Sequence, residues 1–354
     1  SVGASPWALG MRRVLLLGGT GWLGREIARE AVADGAEVTC LARGESGEVP
    51  EGVTPVKADR RASGAYDTLS GDWDQVIELS HAPNLVESAL QALASRAAHW
   101  TLVSTVSVYA SNDEIGADES AALVEPRDPT QYADAKVIAE RMTSALVGDR
   151  LLIARSGLIV GPGDPSDRFS YWPLRLEAGG FVLAPVRDGR FVQVIDVGDL
   201  ARWIVRAGRD KLVRAVNAVG KVHSMAGFFD VARIITGFND LADGADDDEF
   251  PENVLEEIDD DELLAHGVNY WAGPRSLPLW LPLSEVGFAT RHGSAFLASG
   301  GTLRPLGETI ERVLDDPNRT PLDGARRAGL TPHDEGEILH DIARDSILGL
   351  TSEG

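Results

Sequence analysis

An apolar run at residues 14–17 stops at a cluster of glycines, and a helical pattern begins at Arg25. Such a sequence is typical of a buried parallel strand that turns directly into a helix. The glycines at positions 18, 21 and 24 have the spacing G-x-x-G-x-x-G. We expect Gly18 to allow a sharp turn, Gly21 to leave room for a pyrophosphate, and Gly24 to let the helix pack closely on the strand. Because amides at a helix N-terminus attract anions, this stretch predicts a dinucleotide site.

Length and composition limit the class of protein. With 354 residues, the chain is long enough for one large domain or two smaller ones. Its formal net charge of −22 repels the phosphate backbone of nucleic acids, so we expect no nucleic-acid partner. The content of 44% hydrophobic and 25% charged residues is typical of globular proteins. No apolar run approaches the roughly 18 residues that a membrane span needs, so we expect no membrane partner.

The single cysteine, Cys40, allows no intrachain disulfide, which fits a reducing cytoplasm. Cys40 falls within a predicted strand, so we expect a buried structural thiol. Residues 1–10 precede Met11 and lack the basic start and apolar stretch of a signal peptide. We interpret them as an expression scar, with Met11 as the natural start. The predicted location is cytoplasmic.

From Met11 onward, strand patterns alternate with helix patterns. The predicted strands are 13–17, 37–42, 54–58, 74–80, 100–109, 151–160, 191–197 and 215–219. The predicted helices are 23–34, 83–97, 130–146, 198–207, 226–236 and 306–315. This alternation predicts an α/β fold with a Rossmann-type, doubly wound parallel sheet. Right-handed crossovers follow from the handedness of such connections.

The end of the second predicted strand bears on the choice of cofactor. In dinucleotide folds this position contacts the adenosine ribose, and a carboxylate there selects NAD. Residues 38–43 contain no acid and end at Arg43, a permanent cation suited to a 2′-phosphate. The sequence therefore favours NADP over NAD, although Arg43 as an ordinary surface arginine is the alternative. Asp59, after the third strand, is a candidate for the adenine contact or for a turn residue.

Tyr132 and Lys136 are four residues apart within a predicted helix, so they share one face. A free tyrosine, with a pKa of about 10, is a poor acid–base group near neutrality. A nearby ammonium favours the phenolate and lowers that pKa. We therefore predict that Lys136 activates Tyr132 and also holds the nicotinamide ribose. Alone, such a pair also occurs by chance on helix surfaces.

A run of hydroxyl residues ends the fifth predicted strand, residues 100–109. Ligands of doubly wound sheets bind at the carboxyl ends of the strands. A hydroxyl there can hydrogen-bond a substrate carbonyl oxygen and stabilise its developing charge. Thr105 is the first candidate, and Ser107 is the second because alternate strand residues point the same way. The alternative is that these hydroxyls only satisfy nearby backbone groups.

With these three parts, the chain from Met11 onward resembles the extended, atypical short-chain dehydrogenase/reductase superfamily, which is epimerase/dehydratase-like. The resemblance is strongest up to Val219. The matching features are Gly18-x-x-Gly21-x-x-Gly24, Ser104-Thr105-x-x-Val108-Tyr109, Tyr132-x-x-x-Lys136, Gly161-Pro162 and Val194-x-Asp196-Val197.

The resemblance implies that Thr105, Tyr132 and Lys136 are catalytic. It implies an NADP-binding Rossmann domain (11–160 plus 190–220) and a smaller C-terminal α+β domain for the substrate (161–189 plus 221–350). The residues expected to bind the cofactor are Gly18, Thr20, Gly21, Trp22, Leu23, Gly24, Arg43, Asp59, Ser80, Ser104, Tyr132, Lys136 and Ser156. We expect a small-molecule substrate, and a homodimer is left open.

Two positions depart from the nucleotide-sugar enzymes of this family. Leu158 stands where they usually carry an asparagine, and Gly189-Arg190 stands before Phe191 where they usually carry Arg-Asp. The clamp for a sugar diphosphate is therefore incomplete or shifted. The sequence looks more like the reductase-like branch of the family.

These features predict an NADP-dependent oxidoreductase acting on a carbonyl or alcohol. Tyr132 is the proton donor, Lys136 tunes it, and Thr105 orients the substrate oxygen. One alternative is a nucleotide-sugar epimerase or dehydratase, in which arginines between residues 168 and 190 hold the diphosphate of the substrate. These arginines could instead form ion pairs with carboxylates of the protein. A second alternative is a non-catalytic NADP-sensing or RNA-associated protein, since fold does not fix function.

Several other residues are candidates for lesser roles. The histidines show no metal-ligand spacing, so no metal is expected, and His81 is a candidate to line the cofactor cleft. Four aromatic residues are candidates for a substrate pocket or, as is commoner near prolines, for the core: Tyr171, Trp172, Trp271 and Trp280. The acidic segment 240–262 contains scattered apolar residues and is predicted to form a solvated helical surface.

Overall fold

The computed structural model describes residues 10–19, 21–239 and 252–352. Its strands, in chain order, are β1 (Arg13–Leu17), β2 (Glu37–Ala42), β3 (Val53–Lys57), β4 (Gln75–Glu78), β5 (Trp100–Thr105), β6 (Leu151–Ser156), β7 (Leu158–Val160), β8 (Gly180–Pro185), β9 (Phe191–Asp196), β10 (Arg214–Ala218), β11 (Val222–Ser224), β12 (Asn253–Ile258), β13 (Asn269–Trp271), β14 (Gly273–Pro274), β15 (Ser276–Pro278) and β16 (Ala328–Gly329).

The α-helices are α1 (Trp22–Ala33), α2 (Pro83–Leu93), α3 (Tyr132–Val147), α4 (Arg168–Ala178), α5 (Val197–Arg209), α6 (Met225–Thr236), α7 (Asp260–Ala265), α8 (Ser294–Ala298), α9 (Leu306–Leu314) and α10 (Pro332–Ser352). Short 3₁₀ helices cover Ala94–Arg96, Val106–Val108, Gly148–Arg150 and Leu283–Ala289. None of the helices in the described ranges combines the length and apolar character needed to cross a bilayer.

Seven parallel strands form the central sheet, in the order β10-β6-β5-β4-β1-β2-β3. The strand β1 lies between β2 and β4, so the chain crosses from one half of the sheet to the other beside β1. Such a switch point leaves a crevice at the carboxyl ends of the strands. The predicted Rossmann-type sheet is confirmed, and its carboxyl edge is the place for a ligand.

Helices cover both faces of this sheet. On one face, α1 and α5 bury apolar side chains such as Ile27 and Leu200 against the strands. On the other face, α2 and α3 do the same with residues such as Val86 and Ala139. The strands are therefore buried on both sides, which explains the continuous apolar runs of the sequence.

Two of the longer predicted strands end early or are broken. The strand predicted over 100–109 ends at Thr105, and Val106–Val108 is a 3₁₀ helix. Ser107 does not therefore project as a strand neighbour of Thr105; its amide instead donates to the Thr105 hydroxyl oxygen. The strand predicted over 151–160 is broken at Gly157, whose amide donates to the Ala218 carbonyl.

The break separates two sheets. β6 belongs to the central sheet, whereas β7 joins a three-stranded sheet with β9 and β11. A side chain at Gly157 would meet Val219 Cγ1 at 3.2 Å, so this crossing requires a small residue. The chain leaves the central sheet at this point and enters the C-terminal region.

The smaller C-terminal region has a core of its own. Apolar side chains from α4, α6, α9, α10 and β8 pack together there. The prediction of a helical surface over 240–262 is wrong for part of its length, because Asn253–Ile258 is a strand that pairs in parallel with β8. Residues 240–251 lie outside the described residues.

The first turn of the sheet depends on Gly24. A Cβ at Gly24 would lie 2.6 Å from the Gly19 Cα, because α1 packs directly on the loop after β1. A Cβ at Gly21 would find no atom closer than the Gly18 carbonyl oxygen at 4.0 Å. We predict that Gly24→Ala lowers the free energy of unfolding by about 1–3 kcal/mol through overpacking, as measured by denaturant unfolding.

The matched control is Gly21→Ala, which should unfold within about 1 kcal/mol of the parent: the space is open and alanine adopts its φ of −70° without strain, although glycine is the better N-cap residue. Equal stability of the two variants would contradict the close packing of α1 on this loop.

Candidate active site

A cleft of about 350 Å³ lies at the carboxyl edge of the central sheet, beside the glycine turn. Its walls come from the ends of β1, β2, β3 and β4. The lining residues include Gly18, Gly21, Arg43, Asp59, Arg61 and Ser80. Gly18 has a φ of +90°, a conformation that favours glycine. The space at Gly21 is open toward the N-terminus of α1. These features fit the pyrophosphate of a dinucleotide.

The residues after this turn hold α1 in place. Trp22 Nε1 donates to the Pro162 carbonyl at 2.9 Å and so ties the turn to the loop after β7. Leu23 packs against the core below the helix. Thr20, the remaining residue predicted in this stretch, lies outside the described residues. The predicted cofactor roles of Thr20, Trp22 and Leu23 remain predictions.

Arg43 lies at the rim of the cleft. It is half-exposed and lies 3.0 Å from the Glu45 carboxylate. Asp59 is held by both a side-chain and a backbone contact with Arg61, and this pairing holds the Asp59 pKa well below its usual range. Arg61 thus forms a second cation on the same rim. Sequence analysis missed Arg61, although its position two residues after Asp59 was a usable signal.

The floor of the cleft is a buried ion pair between Arg60 and Glu78. Arg60 Nη1 donates to Glu78 Oε1 at 2.9 Å, and both side chains are buried. Glu78 Oε1 also accepts from the amide of Ser80 at 2.9 Å. The Ser80 hydroxyl accepts from the Ala82 amide at 3.1 Å. Ser80 is therefore fixed at the point where β4 leads into α2.

Tyr132 is the first residue of α3 and half of it is exposed (50%). Its ring packs edge-on against His81, with 5.5 Å between the ring centroids. Burial raises the Tyr132 pKa, while the neighbouring Thr105 hydroxyl and the charge of Arg168 oppose that rise. The structure therefore brings Thr105, His81 and Arg168 to the Tyr132 phenol.

Lys136 lies one turn along α3 but points inward and is only 3% exposed. Its ammonium donates to the Val103 carbonyl at 2.6 Å and to the Ser80 carbonyl at 3.4 Å. Burial lowers its pKa to about 8, against the charges of Glu78 and Glu140. Among the described residues, the cation that lowers the Tyr132 pKa is Arg168. Activation of Tyr132 by Lys136 stays a prediction.

Two serines predicted to bind the cofactor are buried. The Ser104 hydroxyl donates to Glu140 Oε1 at 2.6 Å, and the Ser156 hydroxyl donates to the Ser104 carbonyl at 3.1 Å. Glu140 is also bound by Arg155, with Nη2 and Oε2 2.8 Å apart. These contacts tie α3 to β5 and β6, and they hold Thr105 beside Tyr132. They favour a supporting role for both serines.

Three of the four arginines considered for a diphosphate clamp are ion-paired. Arg175 lies 2.6 Å from Glu335, Arg187 pairs with Glu257, and Arg190 pairs with Asp260. In the described part of the chain, Arg168 has no carboxylate within 4 Å, and its guanidinium lies 5.4 Å from the centre of the Trp271 ring. These pairs leave Arg168 as the cation facing Tyr132.

The four aromatic candidates for a substrate pocket also differ in their surroundings. Tyr171, Trp172 and Trp280 are fully buried in the C-terminal core. Trp271 is only partly buried and faces Arg168. Sequence analysis could not separate Trp271 from the others, because the contact depends on where the end of β13 lies relative to α4. Arg168 was found as a cation but not as a neighbour of Tyr132.

Two further features lie away from these residues. A larger groove, of about 1060 Å³, is lined by residues around Val219, His223 and Leu306, and its lining includes none of the three predicted catalytic residues. Among the residues that the structure describes, no group of three or more His, Cys, Asp and Glu side chains is arranged to hold a metal ion.

Comparisons with known proteins agree with this architecture. Residues 14–218 match the model of the NAD dependent epimerase/dehydratase family. UDP-glucose 4-epimerase from Thermus thermophilus, solved with NAD, has a TM-score of 0.58 at 18% identity, covering 86% of this chain and 98% of that one. Human epimerase family protein SDR39U1, solved with NADPH, has a TM-score of 0.57 at 19% identity, covering 86% and 99%.

UDP-glucuronic acid 4-epimerase from Bacillus cereus, solved with NAD, has a TM-score of 0.56 at 15% identity and covers 86% of this chain and 96% of that one. At these identities, the structural likeness shows the fold alone. The comparison with curated proteins found no match. Because the family model covers more than half of the chain, this protein belongs to the NAD-dependent epimerase/dehydratase family.

Proposed function

We propose that this protein is an NADP-dependent oxidoreductase that acts on the carbonyl or alcohol group of a small molecule. The observation that carries the proposal is the half-exposed Tyr132 phenol, which lies beside Thr105 at the carboxyl edge of the sheet. Membership of a nicotinamide-dependent family supports the same conclusion. The cleft beside the glycine turn would hold the dinucleotide.

The protein's part in the reaction is proton transfer and orientation. When bound, the nicotinamide cofactor supplies the hydride. Burial raises the Tyr132 pKa, so the phenol is protonated near neutrality and can donate to a carbonyl oxygen. Thr105 lies beside Tyr132 and is proposed to hold that oxygen in place. The nearby charge of Arg168 stabilises the phenolate that remains after transfer.

A preference for NADP over NAD is supported by the charges at the rim. Arg43 and Arg61 line the same wall of the cleft. Their carboxylate partners Glu45 and Asp59 are solvent-accessible, so a 2′-phosphate can compete for both guanidinium groups. Solved relatives of this fold contain either NAD or NADPH, so the choice depends on these side chains.

A nucleotide-sugar epimerase or dehydratase is the second candidate, because the family model and several relatives carry that name. Such an enzyme needs several cations for the diphosphate. Three arginines considered for that purpose are occupied by carboxylates. This pairing favours the oxidoreductase.

The Tyr132 proposal predicts that Tyr132→Phe lowers kcat for NADPH-dependent carbonyl reduction by about 10²–10⁴-fold, the usual worth of a general acid. NADPH affinity should stay within about twofold, because the ring that packs on His81 is kept. Turnover is followed by NADPH absorbance with a panel of aldehydes and ketones.

The matched control is Tyr171→Phe, which removes a hydroxyl in the C-terminal core, where the side chain is fully buried. It should leave kcat unchanged. If the two substitutions lower kcat equally, Tyr132 is not the proton donor.

For the cofactor, Arg43→Gln should raise the Kd of NADPH roughly tenfold or more and leave the Kd of NADH unchanged, because one charge-assisted contact to phosphate is lost. Both constants are measured by fluorescence titration. The control is Arg29→Gln, an exposed arginine on α1 that pairs with Glu26 and lies outside the cleft. If Arg43→Gln raised the Kd of NADH as much as the Kd of NADPH, Arg43 would not contact the 2′-phosphate.

The buried Lys136 ammonium predicts an unusual pH dependence of stability. Lowering its pKa from 10.5 to about 8 means that the folded state holds the proton less tightly than the unfolded chain. The penalty, about 3 kcal/mol by the usual conversion, is complete below pH 8 and disappears as pH rises toward the unfolded pKa.

We therefore expect Lys136→Met to remain folded. Its stability relative to the parent should fall as pH rises from 8 to 10.5, because only the parent is relieved of the buried charge. Urea unfolding of both proteins at pH 7 and pH 10 measures this. If the difference in free energy of unfolding between the two proteins is the same at both pH values, the buried charge is not that of Lys136.

A further inference from the structure

Arg168 stands apart from the other cations near the candidate active site. It is the first residue of α4, and its guanidinium lies over the Trp271 ring at 5.4 Å from the ring centre. Its charge reaches the Tyr132 phenol. It is therefore a cation that acts on the proposed proton donor from the start of α4.

The hydrogen-bonding capacity of Arg168 is not used up within the protein. Its Nε is buried and has no acceptor among the described residues. The carboxylate whose charge acts most on it is Asp164, yet the two groups make no ion pair within 4 Å in the part of the chain that the structure describes. The Asp164 Oδ2 is itself buried without a partner.

Trp271 supplies the wall on which Arg168 rests. It has a φ of +69°, which a residue with a bulky side chain seldom adopts, and its ring packs edge-on against Phe288 at 5.2 Å. Such backbone strain persists only where surrounding contacts maintain it, and it is concentrated at functional sites. An arginine stacked on an aromatic ring is held in one plane and can bind a carboxylate through two parallel hydrogen bonds.

We propose that Arg168 binds a carboxylate of the substrate beside the carbonyl that reacts at Tyr132. The substrates are then oxo acids, or the corresponding hydroxy acids. This inference rests on the proposed oxidoreductase function. One unpaired arginine matches a single carboxylate, whereas a diphosphate requires the cations that Glu335, Glu257 and Asp260 already hold.

The test compares benzoylformate, which carries a carboxylate next to its ketone, with its neutral methyl ester. In the parent, the KM for benzoylformate should be lower than that for the ester. Arg168→Gln should raise the KM for benzoylformate roughly tenfold to hundredfold, as expected for the loss of a charge-assisted pair, and leave the KM for the ester within about twofold. Arg168→Lys keeps the charge and should recover part of the loss.

The matched control is Arg187→Gln from the same segment, whose guanidinium pairs with Glu257. It should change neither KM. Thermal unfolding of each variant verifies that it is folded. An equal rise in KM for the acid and the ester in Arg168→Gln would overturn the proposal.

A binding measurement separates this inference from the proposed activity. Calorimetry with the full chain and NADP⁺ compares benzoate, neutral benzamide and inorganic phosphate. Benzoate should bind more tightly than benzamide or phosphate, and its affinity should fall roughly tenfold or more in Arg168→Gln. If neither ketone is reduced but this pattern appears, the proposed function fails and the Arg168 site stands. Tighter binding of phosphate, or benzoate binding that is insensitive to Arg168, overturns the site.

Discussion

The architecture depends on the close approach of α1 to the loop that follows β1. The backbone at Gly24 lies so near Gly19 that no side chain fits between them. This contact aims the N-terminus of α1 at the carboxyl edge of the sheet and leaves the space at Gly21 open. Because β1 lies at the switch point of a seven-stranded parallel sheet, the same contact places the open turn at the crevice between the two halves. The cleft beside it is a consequence of how the first helix packs.

A second constraint is the buried charge beneath the site. Arg60 neutralises Glu78 and Arg155 neutralises Glu140, and Lys136 lies between these two carboxylates. Since each carboxylate already has a cation, the Lys136 ammonium gains little from either, and burial lowers its pKa to about 8. The outer side of α3 differs. There, Tyr132 is half-exposed and feels the charge of Arg168. One helix therefore presents a buried ammonium to the sheet and a half-exposed phenol to its other side.

Sequence analysis predicted the central sheet well, because its strands are buried apolar runs and its helices are amphipathic. It was less reliable where the chain leaves that sheet. β5 ends at Thr105 because its hydroxyl accepts from the Ser107 amide and caps the 3₁₀ helix that follows, and the break at Gly157 follows from a long-range contact with Val219 that no local pattern records. Asn253–Ile258 is a strand because β8 offers it a partner. The same limit applies to the site: the spacing of Tyr132 and Lys136 placed both on one helix, but their opposite surroundings come from β5, α4 and the loop at Trp271. The division into two domains stays a prediction.

The most direct test of this account is a crystal structure of the protein with NADPH. We expect the pyrophosphate to lie over Gly21 at the N-terminus of α1. The reactive carbon of the nicotinamide should lie within about 4 Å of the position of a carbonyl carbon whose oxygen contacts the Tyr132 hydroxyl, as a near-attack geometry requires. A nicotinamide ring bound more than about 10 Å from the Tyr132 hydroxyl, well beyond that reach, or a dinucleotide bound outside the cleft at Gly18 and Arg43, would contradict it.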